Sequence, residues 1–218
     1  MAHNPKNKKE VESRVERRIF TLPVGIETRE GKEDSRTVVG YAAVFDKWSA
    51  PIYGWFREKI APTAFDKVLD QDTVCLFNHD KNLILARNNA TLKLSVDKTG
   101  LRYEFEAPNT SLGNDLLENI RLKNITKSSF AFTTKSAEWT KSEEEGLEED
   151  RTILEVEDLI DVSPVTFPAY PDASVDMVAK REFESYCKEN RESEENMPEV
   201  NTDFEITKAK LRLRKHSV

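Results

Sequence analysis

The stretch Thr91-Leu92-Lys93-Leu94-Ser95-Val96, turning through Asp97-Lys98-Thr99-Gly100 into Leu101-Arg102-Tyr103-Glu104-Phe105-Glu106-Ala107, decides the fold class. Apolar and polar residues alternate along both arms, the period of strands with one buried and one wet face. Two such arms joined by a short polar turn ending in glycine read as an antiparallel hairpin. Upstream, Ile19, Phe20, Leu22, Val24 and Ile26 give a mostly alternating strand, and Val38 to Phe45 returns as a second, antiparallel to it. Gly40 inside that second strand suggests a bulge or tight bend that curves the sheet toward a barrel. Thr73-Val74-Cys75-Leu76-Phe77 and Leu83-Ile84-Leu85-Ala86-Arg87 are further short apolar elements.

Helical signals are fewer. Ala61 to Leu69 reads as a short helix with Thr63 as N-cap and Phe65, Val68 and Leu69 facing inward. Asn109-Thr110-Ser111 caps a helix in which Leu112, Leu116 and Ile120 recur every four residues with Leu117 beside them. Lys127 to Thr134 returns to strand character, Ser142 to Asp150 is an acidic hairpin tip, and Arg151 to Asp161 is a long strand candidate. The expected fold class is therefore mainly β with helices, α+β. Residues 1–16 are polar and without periodicity and read as a flexible arm, and 17–174 as the folded domain. From about 175 a charged, partly helical tail follows, basic over Thr207 to His216.

With 218 residues, 33% of them charged and 38% hydrophobic, one domain with flanking segments fits better than two. The net charge of −7 argues against a general nucleic-acid binder, which needs a basic surface to neutralise phosphate. No run of about 18 apolar residues occurs, and the polar N-terminus has no signal-peptide pattern, so neither membrane spanning nor export is expected. Two cysteines in unlike contexts, Cys75 in an apolar strand and Cys187 in the charged tail, make no disulfide framework and suit a reducing compartment. No convergent ligand spacing and no glycine-rich phosphate loop is present, so neither a metal nor a cofactor is expected.

Of three histidines, only His79 lies away from the termini, just past the strand Thr73 to Phe77. A side chain there is held on one side and open on the other, as a general base requires. A serine hydroxyl attacks only when a base within hydrogen-bond reach takes its proton and a third group steadies that base. Ser129, in Lys127-Ser128-Ser129-Phe130-Ala131-Phe132, is the candidate nucleophile. In a strand it points away from Phe130 and Phe132, whereas Ser128 points with them into the core. Asp161, at the expected strand end before Val162-Ser163-Pro164-Val165-Thr166-Phe167-Pro168-Ala169-Tyr170-Pro171, could orient the imidazole. Glu157, Asp158 and Asp80 remain alternatives for that third place.

Taken in order, Asn78-His79-Asp80 with Ala86-Arg87, then Ser128-Ser129-Phe130-Ala131-Phe132, then Asp161 to Pro171, resemble the prohead maturation proteases of tailed bacteriophages. Gly40-Tyr41-Ala42-Ala43-Val44-Phe45 and Ile60 to Phe65 look like that family too, so the resemblance spans Arg17 to Ser174. It implies a serine endopeptidase related to herpesvirus assemblin, on a curved antiparallel β-barrel with helices around it. It assigns His79 as base, Ser129 as nucleophile and Asp161 as orienting acid, while Arg87 reads either as a surface cation or as an oxyanion or substrate contact. It also implies the partners: the major capsid protein with its scaffold segment, and the chain itself through autoprocessing and possible self-association, inside the procapsid in the host cytoplasm. Ser128 and Ala131 depart from the methionine and glycine often found at those places in the family. The competing expectations are a non-catalytic scaffolding or core protein of the procapsid with a protease-like barrel, and a small β-barrel binding module.

Overall fold

The computed structural model describes residues 15–20, 24–26, 35–52 and 54–166. Residues 1–14 of the expected arm, the tail from 175 and Cys187 lie outside the described residues. The chain enters as β1 (Glu16–Phe20), β2 (Gly25–Ile26), β3 (Thr37–Val44), β4 (Phe56–Ile60), β5 (Val74–Phe77) and β6 (Asp80–Arg87). It continues through the hairpin β7 (Leu92–Val96) and β8 (Gly100–Glu106), helix α1 (Ser111–Arg121), and the long pair β9 (Lys127–Lys141) and β10 (Glu149–Val165).

Two sheets result. The smaller runs β2-β3-β8-β7, antiparallel throughout; the larger runs β1-β9-β10-β5-β6, with β4 also paired to β10. The expected strand from Ile19 to Ile26 is thus split: β1 pairs with β9, while β2 pairs with β3. β10 is antiparallel to β9 but parallel to β4 and β5, so the larger sheet is mixed rather than purely antiparallel. A bridge from Phe45 to Ile60 joins the sheets at one corner. No closed barrel is found among the described residues.

The core lies between the sheets. Phe130 and Phe132 on β9 have no exposed surface and stack at 4.7 Å, and Phe65 meets Phe130 edge-on at 5.6 Å. Burying each such ring contributes about 2–3 kcal/mol. Tyr103 of β8 reaches across to Ser128 of β9, hydroxyl to hydroxyl at 2.8 Å. Gly40 serves this contact, because a Cβ there would lie 2.5 Å from the Tyr103 ring. The bulge in β3 falls just beyond it, between Tyr41 and Ala43.

One helix is present among the described residues. Thr110 caps α1 by accepting from the Gly113 amide at 3.2 Å, and Gly113, Leu116, Leu117 and Ile120 face inward. The segment 61–69 is a run of turns instead of the expected helix, with Val68 N donating to Phe65 O at 3.1 Å. A helix would give Val68 N to the Ala64 carbonyl, but that carbonyl accepts from Val156 N of β10 at 2.9 Å. Ala64, Phe65 and Val68 still bury their side chains, so the apolar pattern is kept while the backbone serves the sheet.

A buried ion cluster ties four strands together. Arg151 (β10) has no exposed surface, and its Nη1 donates to Glu16 Oε2 (β1) at 2.8 Å and Glu58 Oε2 (β4) at 3.0 Å. Its Nη2 donates to Thr134 Oγ1 (β9) at 3.1 Å. Arg18 Nη2 binds Glu16 Oε2 at 2.7 Å and Glu58 Oε2 at 3.1 Å. Two carboxylates thereby face two guanidiniums, and the strand opens at Glu16 because its side chain belongs to this cluster rather than to a free arm. Burial pushes the Glu16 carboxyl up, but Arg151, Arg18 and the hydrogen bonds from Arg151 and Thr134 outweigh it and hold it down at about 2, against an ordinary 4.5.

Removing one partner leaves a buried charge uncompensated, so Arg151→Ala is expected to lose about 3–5 kcal/mol in urea denaturation. Glu16 ionises more readily folded than unfolded, so its contribution is fully present above pH 4.5 and lost as pH falls toward 2. Stability measured by denaturant titration should fall over that window, and Glu16→Gln should flatten the dependence.

Candidate active site

β5 and β6 are joined by a two-residue turn, Asn78-His79, with Phe77 opposite Asp80. Both turn residues have positive φ, 54° and 59°, the backbone of a type I′ hairpin turn. Asparagine tolerates that region; histidine there costs about 1 kcal/mol or more and persists only where surroundings enforce it. They do so here: Asn78 N donates to Pro164 O at 3.1 Å, its Oδ1 accepts from Thr166 N at 2.9 Å, and its Nδ2 donates to Thr166 Oγ1 at 3.2 Å. The turn is stapled to the end of β10, which aims the His79 ring back over the sheet.

β10 does not stop at Asp161 but runs on to Val165, with Pro164 opposite Ser128. The stiff proline segment therefore continues the strand and supplies the carbonyl that holds the histidine turn. In the β9–β10 register Ala131 faces Asp161 and Ser129 faces Ser163. Alternate residues share a face, so these four point one way while Ser128, Phe130 and Phe132 point into the core.

Three side chains then meet in line. His79 Nδ1 lies 2.6 Å from Asp161 Oδ1, and His79 Nε2 lies 2.6 Å from Ser129 Oγ. An ionised carboxylate has no proton to give, so Nδ1 carries the hydrogen and Nε2 is left as the acceptor for the serine proton. Asp161 is 3% exposed and Ser129 not at all, so both bonds sit away from water, where they are strong. The Ser129 hydroxyl has a second acceptor, the Arg18 carbonyl of β1 at 2.9 Å. A single proton serves only one of the two at a time.

The other expected residues are placed elsewhere. Asp158 Oδ2 accepts from Thr133 Oγ1 at 3.1 Å, and Asp80 Oδ1 caps the Asn82 amide at 2.8 Å. Glu157, half-buried, offers its backbone carbonyl to Gln71 Nε2 at 2.9 Å. Arg87 is exposed and its guanidinium forks onto the Asp72 carboxylate, with Nε donating to Oδ1 at 2.6 Å. Cys75 is buried beside this site, but burial first and the Asp161 charge second push its thiol well up, so it stays a protonated, inert group. Ser163, Asn78 and Thr166 join the site through contacts that the motifs alone do not specify. Strand alternation two residues past Asp161 marks Ser163, and an asparagine before the histidine is the residue a left-handed turn favours.

A carboxylate, an imidazole and a hydroxyl in this order are the working parts of a serine hydrolase. A model of the caudovirus prohead serine proteases matches residues 24–189, well over half of the chain, and the chain belongs to that family. Membership implies a serine peptidase of phage capsid maturation. No curated protein and no solved structure matches the chain.

The two adjacent serines are separable by experiment. Ser128→Ala strands the buried Tyr103 hydroxyl and should cost about 1–3 kcal/mol of stability, with activity of the folded fraction within a few-fold of wild type. Loss of all activity in a folded Ser128→Ala protein would move the nucleophile by one residue.

Proposed function

We propose that the chain is the endopeptidase that cleaves the scaffold segment of the major capsid protein, and itself, inside the procapsid. The carrying observation is the line from Asp161 through His79 to Ser129, with both hydrogen bonds at 2.6 Å. In this reading neutral His79 takes the Ser129 proton at Nε2 as Oγ adds to the scissile carbonyl. Asp161 stabilises the imidazolium without taking its proton. His79 then gives the proton to the leaving amine, an acyl-enzyme forms on Ser129, and water, deprotonated by the same nitrogen, releases it.

Residues 17–174 are the catalytic domain in this account, and its two sheets are the wall of a herpesvirus-protease-type barrel. The tail from 175 tethers the enzyme to scaffold, its basic end meeting acidic partner segments. Ser129 itself is fully buried.

The same burial is the one observation that favours a non-catalytic procapsid core protein. Coexpression with the major capsid protein of its phage separates the readings by gel and mass spectrometry. Wild type should remove the scaffold segment; Ser129→Ala and His79→Ala should each lose several orders of magnitude in rate, and Asp161→Ala less. Equal scaffold removal by wild type and Ser129→Ala would reject the assignment, and no removal by wild type would favour the core protein.

A further inference from the structure

Beside the three-residue line stands a fourth hydroxyl. Ser163 has no exposed surface and lies opposite Ser129 in the β9–β10 register. Its Oγ donates to Asp161 Oδ1 at 2.7 Å and lies 3.4 Å from His79 Nδ1. Asp161 Oδ1 thus accepts two hydrogen bonds, one from the Ser163 hydroxyl and one from His79 Nδ1–H. A carboxylate held by one bond can still swing about its terminal torsion; held by two on the same oxygen, it cannot do so without breaking one. The oxygen atom of Ser163 also closes the flank of the Nδ1–H against any other acceptor. Ser163 is not a second nucleophile, because the ring nitrogen nearest to it is the one that carries the hydrogen.

We propose that Ser163 is a positioning residue that acts through Asp161: it fixes the carboxylate so that His79 presents an unprotonated Nε2 to Ser129. This rests on the peptidase reading above. It differs from a merely buried, satisfied serine in one respect, that its worth for reaction disappears once Asp161 is gone.

The full chain, labelled with 15N-histidine, gives the first readout: the downfield Nδ1–H resonance of His79, assigned by its loss in His79→Gln. It should be sharp in wild type, lost to exchange with water in Ser163→Ala, and retained in Ser163→Thr, which keeps the hydroxyl. The second readout is phosphonylation of Ser129 by a fluorophosphonate probe. Ser163→Ala should lower the maximal rate about tenfold, the worth of one charge-assisted hydrogen bond, with the half-saturating concentration unchanged. Ser163→Thr should recover most of it. In an Asp161→Ala background, adding Ser163→Ala should change the rate by less than about twofold.

An unaltered His79 resonance in Ser163→Ala would overturn the proposal, as would effects of Ser163→Ala and Asp161→Ala that multiply independently. If wild type itself fails to label at Ser129, the peptidase reading falls, and the imidazole resonance alone then decides the role of Ser163.

Discussion

The antiparallel pairing of β9 with β10, in the register that sets Ser163 opposite Ser129 and Asp161 opposite Ala131, is the constraint on which the site depends. Strand side chains alternate with a period of two, so a slip of β9 by one residue would send Ser129 into the core, away from the face that Asp161 shares, and bring Phe130 and Phe132 to the outer face. The aromatic pair makes that slip expensive. The core and the candidate site are opposite faces of the same two strands, and each enforces the other.

A second constraint brings in the imidazole. β5 lies parallel to β10 at Asp161 and Val162, so its C-terminal turn arrives beside Pro164 and Thr166, which hold Asn78. The strained backbone at His79 is thus held by bonds made one residue earlier. At the other end of β10 the Glu16–Arg18–Glu58–Arg151 cluster locks β1 and β4 to the central pair. Arg18 belongs to both regions, its guanidinium in the cluster and its carbonyl on the Ser129 hydroxyl. Ser129 and the ion cluster are therefore neighbours through one residue of β1.

Local patterns in the sequence carried far. The β7–β8 hairpin, the Thr110 cap of α1 and the opposed directions of Ser128 and Ser129 follow from alternation, capping and periodicity, which act over a few residues. The grouping of His79, Ser129 and Asp161 rests on their order, their rough spacing and the family resemblance, none of which is a local pattern. What local patterns could not show is long-range pairing. The parallel alignment of β10 with β4 and β5 is written in no single segment, and it sets both the end of β10 and the hydrogen bonding that turns 61–69 into successive turns. No local pattern marks the burial of Arg151, the first residue of the expected strand; it is buried because Glu16, Glu58 and Thr134 reach it from three other strands. Arg87 reads from the sequence as a surface cation or an oxyanion contact, and its pairing with Asp72, fifteen residues earlier, is on the surface.

In the proposed peptidase the Ser129 hydroxyl owes its reactivity to contact with His79. Peptide mapping by mass spectrometry after treatment of the whole chain with a serine-directed fluorophosphonate tests this most directly. One phosphonyl group is expected, on Ser129, in wild type and none in a folded His79→Ala variant. Labelling on Ser128, or undiminished labelling of Ser129 without the imidazole, would contradict it.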